Sequence, residues 1–271
     1  PEQAFALTDR TEDVQRPFRA RIIAYDSSAS SAKNVAVAVE APIKIVYGDT
    51  PYAVVMITPA DIEDFVFGFS LTEGVIGNAN EIRGIEVRRQ HEGHVASVNL
   101  TPDALRRHMA RRRNLSGRTS CGLCGVEDFK QLPTATEKVG ARDVAPAAIA
   151  RALGALHEGQ DLFRTTRAVH GAAWCSPEGD ILLVREDVGR HNALDKTIGA
   201  CLRAGHSARN GFALITSRCS FEMIEKSAIF GAPALVSVSA PTSLAIERAQ
   251  ALGVTLIAVA RDDGALAFVT P

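Results

Sequence analysis

The sequence predicts an α/β protein, built as an N-terminal mixed α+β unit followed by a domain in which strands and helices alternate. Three observations lead there. The later part of the chain alternates short apolar runs with amphipathic helical segments, which implies parallel pairing with helices on both faces of a sheet. The earlier part holds hairpin-spaced strands around one buried helix. The 271 residues, 46% apolar and 23% charged, suffice for one large domain or two modest ones with real cores.

Residues 1–34 form a polar N-terminal segment: 1–18 lack a period, and the serines of 27–31 mark an exposed stretch. Strand-like alternation follows at 35–39. Residues 43–46 and 53–57, with a turn at Gly48-Asp49 between them, predict a hairpin. Thr58-Pro59-Ala60-Asp61 then opens a helix, with Thr58 as cap, Pro59 at the first helical position, and Ile62, Phe65, Val66 and Phe69 on one face. Two further strands are expected at 85–87 and 95–98. This α+β domain spans 35–140 and ends in an Arg-rich loop at 106–125. A polar stretch at 133–142 marks the boundary, and the second domain covers 141–271. It reads as a helix at 144–156, strands at 169–175 and 181–184 around a turn, and a helix at 191–204. A strand at 212–217, a helix at 220–230 stopped by Gly231, a strand at 234–239, a helix at 242–252 and a strand at 255–260 follow.

Composition excludes several classes. Thirty basic and 31 acidic residues nearly cancel, so no global field draws the chain to nucleic acid or a membrane surface. No apolar run approaches the roughly 20 residues that cross a bilayer. The first seven residues lack the basic end and apolar stretch of a secretory signal. Five cysteines, an odd count, fit reduced thiols in a cytoplasm better than a bridged scaffold. The cations are lopsided, 24 Arg to 6 Lys. Arg forks suit phosphate and carboxylate, although the codon usage of a GC-rich genome explains most of them equally well.

In an alternating sheet, ligands collect beyond the carboxyl ends of the strands, where loops enter helix N-termini. Four such rims carry polar residues: 185–192 (Arg-Glu-Asp-Val-Gly-Arg-His-Asn), Arg218-Cys219-Ser220, Ser239-Ala240-Pro241-Thr242 and Arg261-Asp262-Asp263-Gly264. Together they suit a phosphate-rich anion. Singly, each has a plainer role: Asp187, Ser220 and Thr242 as helix caps, Gly189 as a turn residue, His191 as a surface group. Glu222 and Lys226, four apart, read as a simple helix pair, and Trp174, Cys175 and Cys201 as core. No glycine-rich dinucleotide fingerprint or P-loop occurs, so an ordinary nicotinamide or ATP site has little support.

Cys121-Gly122-Leu123-Cys124 is the sharpest local motif, and residues 104–126 around it hold six arginines and no acid. It reads as a glycine-flanked mobile loop with four chemical meanings. Half a zinc site would need partners such as His170 and Cys175. A thioredoxin-like dithiol should open a helix, which the glycines disfavour. Inert core thiols would need apolar neighbours. A sulfur-carrying cysteine would use the nearby cations to favour its thiolate, with the second thiol resolving or sharing the sulfur.

These residues carry a family resemblance. Arg111-Arg112-Arg113 followed by residues 117–125 (Gly-Arg-Thr-Ser-Cys-Gly-Leu-Cys-Gly) resembles the cysteine loop of the formate dehydrogenase accessory sulfurtransferases, the FdhD or NarQ family. Phe67 to Gly74, Val169-His170-Gly171-Ala172-Ala173, the run Glu186 to Lys196 (EDVGRHNALDK), Ser217-Arg218 with Ser220, Glu222 and Met223, and Ser239 to Thr242 agree as well. The likeness spans roughly residues 35–268, and the EDVGRHNALDK run is highly specific.

The resemblance implies a cytidine-deaminase-like three-layer α/β/α domain for 141–271, although the deaminase zinc signature is absent. It implies a homodimer that receives sulfur from a cysteine desulfurase. The sulfur goes to bis-molybdopterin guanine dinucleotide, of which GDP would be a mimic, before that cofactor enters apo formate dehydrogenase. Cys121 would carry the persulfide, with Cys124 assisting. Val259, Ala260, Arg261, Asp262, Asp263 and Gly264 correspond to a cofactor-binding stretch. With the rim reading, the expected cofactor contacts extend to His170, Asp187, Gly189, Arg190, His191, Ser217, Arg218, Ser239, Ala240 and Thr242. No structural metal, nucleic acid or membrane is expected, and the location is cytoplasmic. Two departures stand out: Gly171 where the family often has Ala, and an acidic Asp262-Asp263 where pyrophosphate is expected. A cofactor-holding chaperone that never handles sulfur and a zinc-dependent deaminase are the competing classes.

Overall fold

A computed structural model of the chain describes residues 14–23, 25, 30–113 and 134–271. Cys121, Cys124 and the loop expected around them lie outside the described residues, apart from the loop's first part.

The first part contributes β1 (Gln15–Ile23), β2 (Ser30–Ala38), β3 (Ala41–Tyr47), β4 (Thr50–Ile57), α1 (Ile62–Thr72), β5 (Ile82–Gln90), β6 (Gly93–Leu100) and α2 (Pro102–Arg113). β3 and β4 form the predicted hairpin, turning at Gly48, whose φ of 59° is left-handed and suits glycine. With β6 and β5 they make a four-stranded sheet in the order β4-β3-β6-β5. Ile43, Ile45 and Tyr47 alternate inward from β3 and pack with Phe65, Val66 and Phe69 of α1.

Three local expectations fail here. The serine-rich stretch is partly strand, since β2 begins at Ser30 and pairs along its length with β1, which the sequence did not suggest. Residues 106–113 of the expected loop are helical. Thr101 accepts from the Ala104 N–H, Pro102 takes the first helical position, and Ala104 and His108 turn inward, His108 edge-on to Tyr47 and Tyr52. Arg106 and Arg107 on the opposite face pair with Asp103 and Glu81. Finally, Thr58 is not a cap: α1 starts at Ile62 after Asp61, which is left-handed with φ 50°.

The second part contains α3 (Pro146–Leu156), α4 (Asp161–Thr166), β7 (His170–Cys175), β8 (Ile181–Asp187), α5 (Arg190–Ala204), β9 (Phe212–Ile215) and α6 (Phe221–Phe230). β10 (Ala234–Ser237), α7 (Ser243–Leu252), β11 (Thr255–Arg261) and β12 (Gly264–Val269) complete it. The six strands lie in the order β12-β11-β10-β9-β7-β8. Only β9, β10 and β11 are parallel; β7 is antiparallel to both β8 and β9, and β12 to β11. The expected parallel sheet is therefore mixed, because β7 and β8 are joined by a tight turn rather than a crossover helix.

Period-two alternation splits this sheet's residues between two cores. Ala172, Trp174, Ala213, Ile215, Leu235 and Leu256 face α5, α6 and α7, while Ala173, Cys175, Phe212, Leu214 and Val236 face α3. Helices thus cover both faces, as the alternation implied. The larger core runs without a break into the first part, because α1 lies directly on α5. A Cβ on Gly68 would stand 1.8 Å from the Asp195 carbonyl oxygen, and one on Gly199 would stand 1.8 Å from that of Asp64. Only glycine at both positions allows this backbone contact. Asp64, buried beside it, is held by Arg185 at 2.8 Å and Arg203 at 2.6 Å.

Candidate functional site

A cleft of about 980 Å³ opens at the strand-end side of the six-stranded sheet. Of the expected contacts it brings together His170, Ala260, Arg261, Asp262 and Asp263. His157, Gln160, Phe163 and Arg167, from the end of α3 through α4, form the opposite wall and were not anticipated. Arg167 stacks on the Phe163 ring, 5.1 Å from its centroid. The signal available was an aromatic among polar residues, with a cation one helical turn later. Burial, then the nearby Arg190 guanidinium, pushes the His170 imidazole below its ordinary range, so it is neutral near pH 7. Thr216 braces it from the next strand by exchanging two hydrogen bonds with Gly171.

Gly171 has a local reason. A Cβ there would meet Gln160 Nε2 at 2.4 Å. Glycine therefore admits the Gln160 side chain, which is only 1% exposed and whose Nε2 has no hydrogen-bond partner.

Val259, next to the cleft-lining Ala260, is the one β-branched residue with positive φ (54°) among the described residues. This conformation is strained for a β-branched residue. It falls where the β11–β12 register shifts, between Ala258 and Arg261. Its N–H donates to Ser239 O at 3.2 Å, tying the 259–264 stretch to the loop after β10. That loop is itself laced to the one after β9: Cys219 N–H donates to Ala240 O, Thr242 N–H to Cys219 O, and Ser237 Oγ to Ser217 O. Ser217 is buried, Arg218 and Ala240 are exposed, and Thr242 caps α7 as expected by accepting from Ala245 N–H.

The third rim is the turn from β8 into α5. Asp187 is fully buried: Oδ1 accepts from Gly189 N–H at 2.8 Å and Asn192 Nδ2 at 2.9 Å, while Oδ2 lies 2.7 Å from Lys196 Nζ. It caps neither α5 nor anything exposed. Arg190 and His191 begin α5 at the rim. His191 Nε2 sits 2.7 Å from Glu222 Oε2, and this contact, against the cost of burial, holds the Glu222 carboxyl below its ordinary range. The expected Glu222–Lys226 pair does not form; Lys226 instead turns inward to Asp195 at 2.8 Å and Thr72 at 2.9 Å. Ser220 stands at the N-cap of α6 without capping it, and its buried Oγ, like Arg190 Nε, has no hydrogen-bond partner.

Cys175, Cys201 and Cys219 are buried free thiols, each pushed up to about 12 by burial. None of them is a thiolate at neutral pH, and Cys175 lies in the core rather than beside His170 as a ligand would. No helix among the described residues is long and apolar enough to cross a membrane.

Comparison with known proteins agrees with this fold. A sequence model of the FdhD/NarQ family matches residues 38–271. The chain is 45% identical over 238 residues to the sulfur carrier protein FdhD of Xanthomonas axonopodis pv. citri (strain 306), covering 87% of this chain and 84% of that protein. It is 47% identical over 238 residues to the sulfur carrier protein FdhD of Agrobacterium fabrum, covering 84% and 85%. Its fold matches the crystal structure of a formate dehydrogenase accessory protein from Desulfotalea psychrophila with a TM-score of 0.74 at 26% identity, over 95% of this chain and 98% of that one. The chain belongs to the FdhD/NarQ family.

Proposed function

We propose that the chain is a cytoplasmic sulfurtransferase that takes persulfide sulfur from a cysteine desulfurase and delivers it to bis-molybdopterin guanine dinucleotide, for formate dehydrogenase. The observation that carries the reading is the rim itself. Arg167 and Arg261 line, with His170, a cleft large enough for a guanine nucleotide. Arg190, close enough to His170 to act on its imidazole, and Ser220 stand at the starts of α5 and α6 with buried polar atoms that have no partner. We read the mixed sheet with helices on both faces as the cytidine-deaminase-like layer arrangement, and the active species as a homodimer.

The acceptor is substrate here, and the protein's own chemistry is thiol exchange. The Cys121 thiolate attacks the outer sulfur of the desulfurase persulfide, leaving that enzyme's thiolate and forming Cys121–S–SH with no net oxidation. Attack by the Cys124 thiol on the inner sulfur then expels sulfide and leaves a Cys121–Cys124 disulfide, which supplies the two electrons the sulfane sulfur needs. The sulfide replaces an oxygen ligand of molybdenum, which leaves as water. Two equivalents of an external thiol, leaving as their own disulfide, return the Cys121–Cys124 disulfide to two thiols.

Incubation with a desulfurase and cysteine, followed by intact mass spectrometry, tests the reading. The expected result is a gain of one sulfur atom that is absent in Cys121→Ala. A gain that survives this substitution removes Cys121 as the carrier, and formate dehydrogenase activity that survives loss of both cysteines would favour the cofactor-holding chaperone.

A further inference from the structure

The EDVGRHNALDK run reads from sequence as a ligand-binding motif, yet most of its polar groups turn away from the rim. Their partner is Thr58, in the connection between β4 and α1 of the first part and itself 0% exposed. The Thr58 N–H donates to Asp187 Oδ2 at 2.9 Å. Its carbonyl accepts from Lys196 Nζ at 2.9 Å, and its Oγ1 accepts from Val188 N–H at 3.1 Å. Asn192 Nδ2 reaches Met56 O at 2.8 Å while also holding Asp187 Oδ1. Lys196 completes its three donors on Asp187 Oδ2 at 2.7 Å and Glu186 O at 3.2 Å. All the polar groups of Thr58 are thus taken by one eleven-residue motif of the second part.

We infer that Thr58, Asp187, Asn192 and Lys196 are positioning residues: anchored on Met56 and Thr58 of the first part, they fix the 188–191 backbone that presents Arg190 and His191 at the rim. The inference rests on the reading of that rim as an anion site. Adhesion alone does not account for the joint. The Gly68–Gly199 contact and the shared apolar core already join the two parts, and well-packed apolar residues commonly replace a buried ion pair without loss of stability. What apolar residues could not do is grip the Val188 and Gly189 N–H groups, which fixes the entry angle of α5 and the direction of its first two side chains.

Thr58 makes a clean test because it is buried away from the rim and has a conservative partner. In the full chain, Thr58→Ala removes the acceptor of the Val188 N–H, and Thr58→Ser keeps it. Thr58→Ala should speed hydrogen exchange at 188–191 by roughly five- to tenfold while other core amides stay as in the wild type. GDP affinity, read by calorimetry, should weaken by a similar factor, and Thr58→Ser should restore both. Wild-type exchange at 188–191 in Thr58→Ala, or acceleration spread evenly over the chain, overturns the positioning role. If the wild type fails to bind GDP, the anion-site reading falls, and the exchange pattern still decides whether the joint fixes this backbone. Asn192→Ala provides a second variant, expected to act in the same direction, should Thr58→Ala fold poorly.

Discussion

The joint around Thr58 and the rim around Arg190 belong to the same short motif, and their polar groups are treated in opposite ways. At the joint every donor of Lys196 and every polar group of Thr58 has a partner, and both side chains of the Lys196–Asp187 pair are fully buried. At the rim, Arg190 Nε and, at the start of α6, Ser220 Oγ are buried without one, as is Gln160 Nε2 of the cleft wall. Nearby Val259 is held in a conformation its side chain resists. A saturated network specifies a single geometry. An unsaturated, strained one beside a cleft retains interactions that a ligand can complete.

This contrast can be broken most forcefully at the joint. Lys196→Met leaves the Asp187 carboxylate buried without its cation and should lower unfolding free energy by about 3–5 kcal/mol in urea titrations. A loss below about 1 kcal/mol would show that the pair is not the saturated network described. Arg190→Ala should behave oppositely, moving stability by no more than about 0.5 kcal/mol while weakening GDP binding roughly tenfold. Equal affinity in the two proteins would remove Arg190 from the ligand contacts.

Val259→Asn sharpens the comparison by releasing strain, since Asn enters the left-handed region far more readily than Val. It should gain about 1 kcal/mol in thermal or denaturant unfolding, and a loss would mean that the Val259 side chain contributes more packing than its backbone costs. The smallest effect is at Glu222. Its folded pKa is depressed by His191, so its contribution to stability is fully present above the ordinary carboxylate range and is lost as pH falls through the depressed value. Glu222→Gln should therefore flatten the acid limb of a stability–pH curve below about pH 4.3, by less than about 1 kcal/mol. An unchanged limb would assign the contact no share in stability.

Much of this was legible in the sequence. The β3–β4 hairpin, the glycine stops of α6 and α7 at Gly231 and Gly253, and the Thr242 cap follow from local chemistry that tertiary packing does not override. The gathering of the strand-end loops followed from alternation alone. β1 was hidden because its side chains have no core to face: all but Gln15 are exposed, with Arg and apolar residues mixed along the strand. α2 was hidden by its arginines, although the Thr101-Pro102 start and the Ala104–His108 face marked it. The roles of Asp187, Asn192 and Lys196 could not be read at all. Their partners are the main chain of Met56 and Thr58, more than a hundred residues earlier, and a carbonyl oxygen leaves no trace in residue type.

The Gly68–Gly199 contact also limits how the molecule can move. Two helices whose main chains touch, with Asp64 clasped by arginines on either side, leave no room for a hinge between the hairpin sheet and the mixed sheet. The two halves travel as one rigid body. A ligand of the rim must therefore be met by the surface as it stands, never by the halves closing on it like jaws.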